Sequence, residues 1–415
     1  MKKLIAVLSA LCFSMILASC NSSGEHKKNG NDQAQLNDEK WPTLKTISGR
    51  NIIAELEQTT TGTRIRDEAF AKVRENEDLE KGLFGKNTPE LQEDLGMQWI
   101  EAEAATEAIN KVYGGIGGLN QKGVIFLENQ SSGADQSGFW IGIKEPDEKV
   151  NELVTELQKQ VDEGKILAKY IYIFRSDFTQ KENNQLVDEV HQVIARMARA
   201  HAAPERVSFG VSVDTKTGIV EISHDFLTKE QQEALQKQFS NHKLEFEQDG
   251  RLVPLPGEKD VSYPPEKTTT TPPKEGGYVM SVSENSMLVV SATSHDFSAT
   301  GGKQKYFGAI SYSFPQANKK LEVGQRVLVE PAGPIMESYP GQGSAKYVEV
   351  LPTYQPKTAD LTEAEVVHQA IKQSKREGGA VLVISQLVFD SKNDQWKVEF
   401  TQEEEVFEVV IKDKK

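Results

Sequence analysis

Cysteine is nearly absent from this chain: its 415 residues include only Cys12 and Cys20. Two thiols are too few for a disulfide framework or for a structural zinc site with four cysteine ligands. After Cys20, no apolar run reaches about eighteen residues, the length that a membrane-spanning helix needs. Everything after Cys20 is therefore predicted to be soluble.

Basic residues are outnumbered as well. The chain has 48 lysines and arginines against 62 aspartates and glutamates, which gives a net charge of −14 at pH 7. Such an acidic surface repels nucleic acid and anionic lipid headgroups, so neither is predicted as a partner. With this length and 37% hydrophobic residues, the chain is expected to form several globular domains joined by polar linkers.

The amino terminus has the order of an export signal. Lys2 and Lys3 precede an apolar run from Leu4 to Leu17. At about 1.5 Å per residue, this run is too short to cross a hydrocarbon core of about 30 Å. The string LASC at 17–20 resembles the lipobox of bacterial lipoproteins. That resemblance implies cleavage before Cys20 and a diacylglycerol on its thiol.

Lipidation of Cys20 would fix where the chain works. Two acyl chains, palmitate among them, hold a protein stably on a membrane, at about 0.8 kcal/mol per buried methylene. We therefore predict a signal peptide over residues 1–19 and a lipid anchor on the outer face of the cell membrane. Cys12 would leave with the signal peptide, so no disulfide could form. The alternative is an ordinary signal peptide followed by a chance cysteine.

Composition divides the rest of the chain into modules. Polar residues dominate the segment after Cys20, and such a segment cannot bury enough apolar surface to offset its ordering entropy. A second break is rich in proline and threonine, a composition typical of an extended spacer. The predicted modules are a flexible polar tether (20–49), a two-lobed α/β domain (50–250), a Pro/Thr-rich linker (251–276), a small β-barrel (277–352) and an α-β-β-β module (358–415). The predicted fold class is thus α+β with several domains.

The two-lobed domain is predicted from the order in which helix-like and strand-like patterns follow one another. From Ile125 onward this order is strand, strand, helix, strand, helix, hairpin, helix, strand, which suits two α/β halves with helices against one sheet face. The strings GVIFL at 123–127, YIFRSDFT at 172–179 and VSVDTKTGIVEI at 211–222 resemble the two-lobed pro-regions of secreted serine proteases. This resemblance implies an inhibitor or folding helper of an exported protease.

Residues 277–352 predict short strands only. These strands cover Gly277–Val282, Met287–Ser291, Phe307–Ser313, Arg326–Glu330 and Tyr347–Val350. Five short strands in so short a stretch favour a small closed barrel, because closure removes exposed strand edges.

The same stretch resembles an uncharacterised domain of Bacillus-type surface lipoproteins. The similarity rests on Gly277–Val279, on Leu321–Val327 and above all on Glu337–Gln342. It implies an OB-like five-stranded barrel and a location at the cell surface. It implies no activity, because that family has none assigned.

The most specific string in the chain is also the candidate binding site. It comprises Glu337, Ser338, Tyr339, Pro340, Gly341 and Gln342. Pro340-Gly341 predicts a type II turn, in which glycine supplies a positive φ. In a structural interpretation, the Tyr339 side chain covers the barrel end and its hydroxyl bonds Glu337 or a backbone carbonyl. In a functional interpretation, a loop at the barrel mouth presents these side chains to a ligand or partner.

The last module, 358–415, predicts one helix followed by a three-stranded meander. The inner face of the helix carries Val366, Val367, Ala370 and Ile371, and the strands cover Val381–Ile384, Trp396–Phe400 and Phe407–Ile411. Alone, such a layer has a thin core, so we expect it to dock on the barrel.

The sequence offers no catalytic constellation. The seven histidines include no His-Glu-x-x-His pair, and Gly-x-Ser-x-Gly is absent. The glycine run 114–118 lacks the Gly-Lys-Ser/Thr of a phosphate-binding loop. His224-Asp225 could seat a metal, but at a strand end before a helix Asp225 or Thr228 more simply caps that helix. We therefore predict no catalytic residue, no metal and no cofactor.

These observations predict a non-catalytic, membrane-anchored binding or regulatory lipoprotein of the cell envelope. An envelope protein is the expected kind of partner. Two alternatives stay open. The first is an inhibitor or folding helper of an exported protease, and the second is an envelope hydrolase whose site is assembled from separated residues.

Overall fold

The computed structural model describes residues 40–297, 305–374, 380–403 and 405–414. The predicted signal peptide, Cys20 and most of the predicted tether lie outside the described residues. Helices and several separate β-sheets alternate along the chain, which confirms the predicted α+β class with several modules. Among the described residues, no helix combines the length and the apolar character that crossing a membrane requires.

The first lobe is a five-stranded sheet with helices on one face. Its elements are β1 (Lys45–Ile47), β2 (Arg50–Ala54), α1 (Arg64–Arg74), α2 (Glu77–Glu80), α3 (Pro89–Gly96), a π-helical turn (Met97–Glu101), α4 (Ala102–Tyr113), α5 (Ile116–Asn120), β3 (Gly123–Glu128), β4 (Gly138–Ile143), α6 (Glu148–Asp162) and β5 (Ile171–Arg175). The strand order is β1-β2-β5-β4-β3. Only the β4–β5 pair is parallel among these neighbours.

Both faces of this sheet are covered. Ile109 of α4 and Leu153 of α6 are fully buried against one face. On the other face, Trp140 of β4 stacks on Tyr172 with ring centroids 4.3 Å apart, and the Arg50 guanidinium lies 4.5 Å from the Trp140 ring. All six residues of β4 are therefore buried, as is typical of a central strand covered on both sides.

The second lobe is a three-stranded sheet with two helices. Its elements are α7 (Gln180–Ala200), β6 (Phe209–Val213), β7 (Val220–His224), α8 (Lys229–Gln238) and β8 (Leu244–Gln248). The β6–β7 hairpin is antiparallel, and β8 pairs parallel with β7. Val190 and Ile194 of α7 pack with Ile222 of β7 in a core of their own. The element order from β3 to β8 agrees with the order predicted from the sequence.

The next region contains a closed ring of strands. Its elements are β9 (Val261–Ser262), β10 (Thr268–Thr269), β11 (Gly277–Val282), β12 (Ser286–Ser291), β13 (Ala309–Ser313), α9 (Ala317–Lys320), β14 (Arg326–Met336), β15 (Gly341–Val350) and β16 (Thr353–Tyr354). β11 pairs antiparallel with β12 and β14, β12 with β13, and β14 with β15. A parallel pair between β13 and β15 closes the circuit. We call strands β11–β15 the strand ring.

All five strands contribute to one hydrophobic cluster inside the strand ring. Val279, Met287, Tyr312, Val327 and Val348 each come from a different strand and are all buried. Alternate residues of β11 and β12 point the other way, to a second cluster. The ring therefore has an apolar interior and an apolar outer face.

The carboxyl-terminal module covers that outer face. It consists of α10 (Glu363–Ser374), β17 (Leu382–Asp390), β18 (Gln395–Gln402) and β19 (Glu405–Lys412), and the three strands form a meander. Tyr278 and Val290 of the ring share a core with Val366 and Trp396 of the module. The Tyr278 hydroxyl also donates to Glu363 Oε1 at 2.6 Å. These contacts agree with the expected docking of the module on the ring.

Two segments predicted to be free of structure are partly built into the fold. In the predicted linker, β9 pairs with β15, β10 pairs with β16, and Val261 is buried inside the ring. In the predicted tether, residues 45–47 form β1, and Trp41 is only 7% exposed. Backbone pairing with neighbouring strands and the buried side chains of Trp41 and Val261 together order parts of these mainly polar segments.

Buried charges join the second lobe to the strand ring. Lys346 of β15 is 1% exposed, and its ammonium donates to the Asp249 carbonyl at 2.6 Å. The same ammonium lies 3.7 Å from Asp225 Oδ2. The Arg206 guanidinium donates to the carbonyls of Ala345 and Lys346, each at 2.8 Å. We call the contact formed by Arg206, Asp225 and Lys346 the ionic joint.

Candidate functional site

The predicted site loop connects β14 to β15. Glu337, Ser338 and Tyr339 are exposed, whereas Gly341 and Gln342 are already part of β15. The Ser338 hydroxyl donates to the Pro340 carbonyl at 2.8 Å and so closes the loop on itself. The structure therefore keeps the six predicted residues together, but it divides them between a loop and a strand.

The predicted turn type is wrong. The Tyr339–Pro340 peptide is cis, and Gly341 is not among the glycines with positive φ. Gly341 instead pairs with Ile310 of β13, and a Cβ at this position would lie 2.9 Å from Cγ2 of Ile335. Close approach of the Ile335 side chain, rather than a left-handed backbone, accounts for the glycine at this position.

Tyr339 bonds a backbone carbonyl, as the structural interpretation proposed. Its hydroxyl donates to the Phe307 carbonyl at 3.1 Å, just before β13 begins. Tyr339 is nevertheless 51% exposed, so its side chain remains accessible to solvent. The loop is thus held in place by its tip while its ring stays accessible.

Three further rings extend from Tyr339 along the same end of the strand ring. The Tyr306 ring lies 6.0 Å from Tyr339 and 5.6 Å from Phe297, and the His295 ring lies 6.1 Å from Phe297. His295 and Tyr306 exchange both backbone hydrogen bonds, at 2.7 and 2.9 Å, which fixes the two chain segments side by side. We call His295, Phe297, Tyr306 and Tyr339 the aromatic cluster.

The aromatic cluster exposes more apolar surface than a single scattered residue would. Phe297 is 45% exposed and Tyr306 is 38% exposed, and Met336 beside the loop is 64% exposed. Exposed apolar side chains that adjoin one another often mark a binding surface, whereas isolated ones need no explanation. Aromatic side chains also supply a large contact area and, in tyrosine, a polar tip.

A cavity opens beside the aromatic cluster. Its volume is about 330 Å³, and its lining includes Val289, Ser291, His295, Ile310 and Tyr312. Val289, Ile310 and Tyr312 belong to the hydrophobic cluster inside the strand ring, so the cavity is an opening of the ring interior. His295 is shared by the cavity lining and the aromatic cluster.

The donors at this end are neutral at neutral pH. Burial raises the pKa of Tyr312 to about 12. Burial, with a smaller effect of Tyr306, also raises the pKa of Tyr339. Both phenols therefore keep their protons and can donate hydrogen bonds, but neither is matched to accept a proton near pH 7. The arrangement suits binding of a neutral or apolar group better than proton transfer.

The other sequence candidates do not form a site. Thr228 caps α8 in a capping box with Gln231, as expected, and Asp225 accepts the Ser208 backbone N–H at 2.7 Å. The His224 Nδ1 accepts the Leu227 N–H at 3.2 Å, so this imidazole serves the turn before α8. Within the described ranges, no three His, Cys, Asp or Glu side chains are grouped as metal ligands.

Several residues of this site escaped sequence reasoning. Tyr312 lies in a predicted strand, Phe297 and Tyr306 lie in the polar stretch before it, and nothing in their spacing links them to Tyr339. Only a weak signal could have identified Tyr312. Its neighbours in the strand are serines, and this alternation predicts that the tyrosine ring points to the buried side of the strand. Only the pairing of β13 with β15 brings these residues to one end.

Comparison with known proteins reaches only part of the chain. Residues 276–352 match a family model described as a protein of unknown function, DUF3221. The match begins one residue before the predicted module and supports the resemblance to an uncharacterised domain. No curated protein and no solved structure matches the chain.

Proposed function

We propose that this protein is a non-catalytic lipoprotein that binds a ligand or partner at the outer face of the cell membrane. The end of the strand ring that carries the aromatic cluster is its binding surface. The proposal rests mainly on one observation: four neighbouring rings, three of them from exposed apolar or amphipathic side chains, adjoin the loop with the most specific sequence string.

An OB-like barrel is the proposed architecture of the strand ring. This architecture is supported by the strand pairings, because the five strands pair in a closed circuit that returns to the first strand. In such barrels the loop between the fourth and fifth strands is one of the loops that bind ligands. Glu337–Pro340 occupies that connection here, between β14 and β15.

The lipid anchor on Cys20 is part of the proposal. It is supported by the lipobox-like string at 17–20 and by the polar composition of the residues that follow. Metabolic labelling with a palmitate analogue tests it. We expect label in the natural chain and none in a Cys20→Ser variant; label retained by the variant would contradict the anchor.

A protease inhibitor or folding helper is the second candidate function. One observation favours it: among the described strands, β6 lies at the edge of its sheet and pairs with β7 alone. An exposed edge can accept an added strand from a protein partner. Copurification of an exported protease that is lost when Val211 at this edge becomes proline would favour this candidate, because the Val211 N–H faces away from β7 and proline removes that donor.

Site-specific crosslinking tests the proposed binding surface. A photoreactive phenylalanine analogue replaces Tyr339 in one variant and Tyr263 in a control. Tyr263 is 58% exposed and bonds the carbonyl of Lys320, beyond the other end of β13. We expect adducts from position 339 in intact cells and far fewer from position 263. Equal crosslinking yields at the two positions would refute the proposed binding surface.

A further inference from the structure

The lining of the cavity at the end of the strand ring includes a buried tyrosine whose hydroxyl has no hydrogen-bond partner among the described residues. Tyr312 lines the cavity and is 6% exposed. Its hydroxyl makes no hydrogen bond with any residue in the part of the chain that the structure describes. The hydroxyl oxygen is not among the fully buried unpaired atoms, so it faces the cavity. An occupant of the cavity can therefore accept a hydrogen bond from it.

The walls around this donor are mainly apolar. Val289, Ile310, Val327 and Val329 line the cavity, and all four belong to the hydrophobic cluster inside the ring. Such walls stabilise an occupant by removing its apolar surface from water. An occupant with a single acceptor and an otherwise apolar body would satisfy both the walls and the Tyr312 hydroxyl.

The charges at the rim do not select an ion. Lys274 and Glu275 both line the opening, so one charge of each sign lies there. Burying an ionised ligand among valines and isoleucine would be costly without a buried counter-charge. A neutral occupant meets no such penalty.

The size of the cavity limits the occupant further. Its volume of about 330 Å³ lies near the lower limit of ligand pockets, about 300 Å³. A small molecule fits this space, whereas a folded peptide segment does not.

We propose that the cavity binds a small neutral carbonyl compound with an apolar aromatic or acyl body, whose carbonyl oxygen accepts a hydrogen bond from Tyr312. This inference rests on the proposed function, because it names the ligand class for the same end of the strand ring. The aromatic cluster then borders the entrance, and the ligand lies with its apolar body against the valine walls.

A fluorescent naphthyl ketone, Prodan, is the probe for this proposal. It is titrated into the full mature chain carrying Cys20→Ser, and its emission reports transfer to an apolar site. Ethylnaphthalene, which lacks the acceptor, and naphthoate, which is charged, are measured by their displacement of Prodan. We expect the ketone to bind more tightly than either competitor.

Two variants separate the hydrogen bond from the cavity. Tyr312→Phe removes only the hydroxyl and should weaken ketone binding about two- to tenfold, the effect of one neutral hydrogen bond. It should leave ethylnaphthalene binding unchanged. Val329→Phe fills the cavity and should weaken both compounds. Tyr263→Phe, which removes an exposed hydroxyl at the other end of β13, should change neither.

The outcomes distinguish this inference from the proposed function. Equal binding of ketone and hydrocarbon, or no effect of Tyr312→Phe, would overturn the carbonyl assignment, and so would tighter binding of naphthoate. If no probe binds but crosslinks still form specifically at position 339, the proposed ligand cavity is overturned. The proposed binding surface then stands. Absence of both would overturn the two together.

Discussion

Replacing Lys346 with methionine should loosen the contact between the second lobe and the strand ring. Lys346 and Asp225 are each 1% exposed, and the ammonium lies 3.7 Å from both Asp225 Oδ2 and Glu330 Oε1. Methionine fills much of the same volume but leaves the buried Asp225 without its ion-pair partner. Removing one partner of a buried pair costs about 3–5 kcal/mol, which is the expected loss.

The loss should depend on pH. Burial raises the pKa of the Asp225 carboxyl above its ordinary value, although the Ser208 N–H and the Lys346 ammonium oppose that shift. A raised pKa in the folded state means that the protonated carboxyl is favoured by folding and the ionised one is penalised. The penalty therefore grows as pH rises through the folded-state pKa. The damage from Lys346→Met should be largest near neutral pH and should shrink as acid protonates Asp225.

Scanning calorimetry of the mature chain with Cys20→Ser measures this effect. For a unit of 150–250 residues, 1 kcal/mol shifts the transition by about 2–4 °C, so the expected shift is about 6–20 °C. Lys243→Met is the matched control, because the Lys243 side chain is 66% exposed and pairs with Glu245 at the surface.

A double variant tests the reasoning itself. Asp225→Asn combined with Lys346→Met removes both charges and should regain most of the lost stability, because no uncompensated carboxylate is left. A loss below about 1 kcal/mol for the single variant, or a double variant that is no more stable than the single one, would refute the role assigned to the ionic joint.

Three further predictions concern local stability. Thr179→Ala removes the capping box at the start of α7 and should lower the free energy of unfolding in urea by about 0.5–2 kcal/mol. Thr179→Ser keeps a capping hydroxyl and should retain most of that stability. Tyr278→Phe leaves the buried Glu363 without its phenol donor, at a cost of about 1–3 kcal/mol, and faster hydrogen exchange in α10 would report it. Gly218→Ala should destabilise the β6–β7 hairpin, because its φ is +71° and a Cβ would lie 2.8 Å from an aromatic ring; Gly133→Ala, with φ +92° and no neighbour within 4 Å, isolates the cost of that contact. Equal losses of stability in the two glycine variants would contradict the predicted cost of the contact with the aromatic ring.

Strand ends were predicted less well than strand order. The sequence pattern ends the fourth ring strand at Glu330, just before Pro331 and Pro334. In the structure β14 continues to Met336, with register shifts between Glu330 and Pro331 and again before Met336. The pairing tolerates the prolines because the strand is irregular there, and a local pattern cannot reveal such an adjustment.

The candidate site was predicted only at its loop. Tyr339 was identified from the sequence, and its hydroxyl does bond a backbone carbonyl. Its neighbours Tyr306 and Phe297 come from an earlier part of the chain, and Tyr312 is buried within β13. The distance along the chain between these residues and Tyr339 hides their proximity, which depends on the parallel pair of β13 with β15.

By itself, the sequence determined the α+β class, the order of helices and strands from β3 to β8, and the acidic character of the chain. Each of these depends on composition or on hydrophobic periodicity, which are properties of a few neighbouring residues. Only the tertiary structure decided that the strands close into a ring, that part of the linker pairs with it, and that Lys346 becomes a buried charge beside Asp225. Those features arise between residues far apart in the chain, so the free energy that fixes them depends on packing that no local pattern encodes.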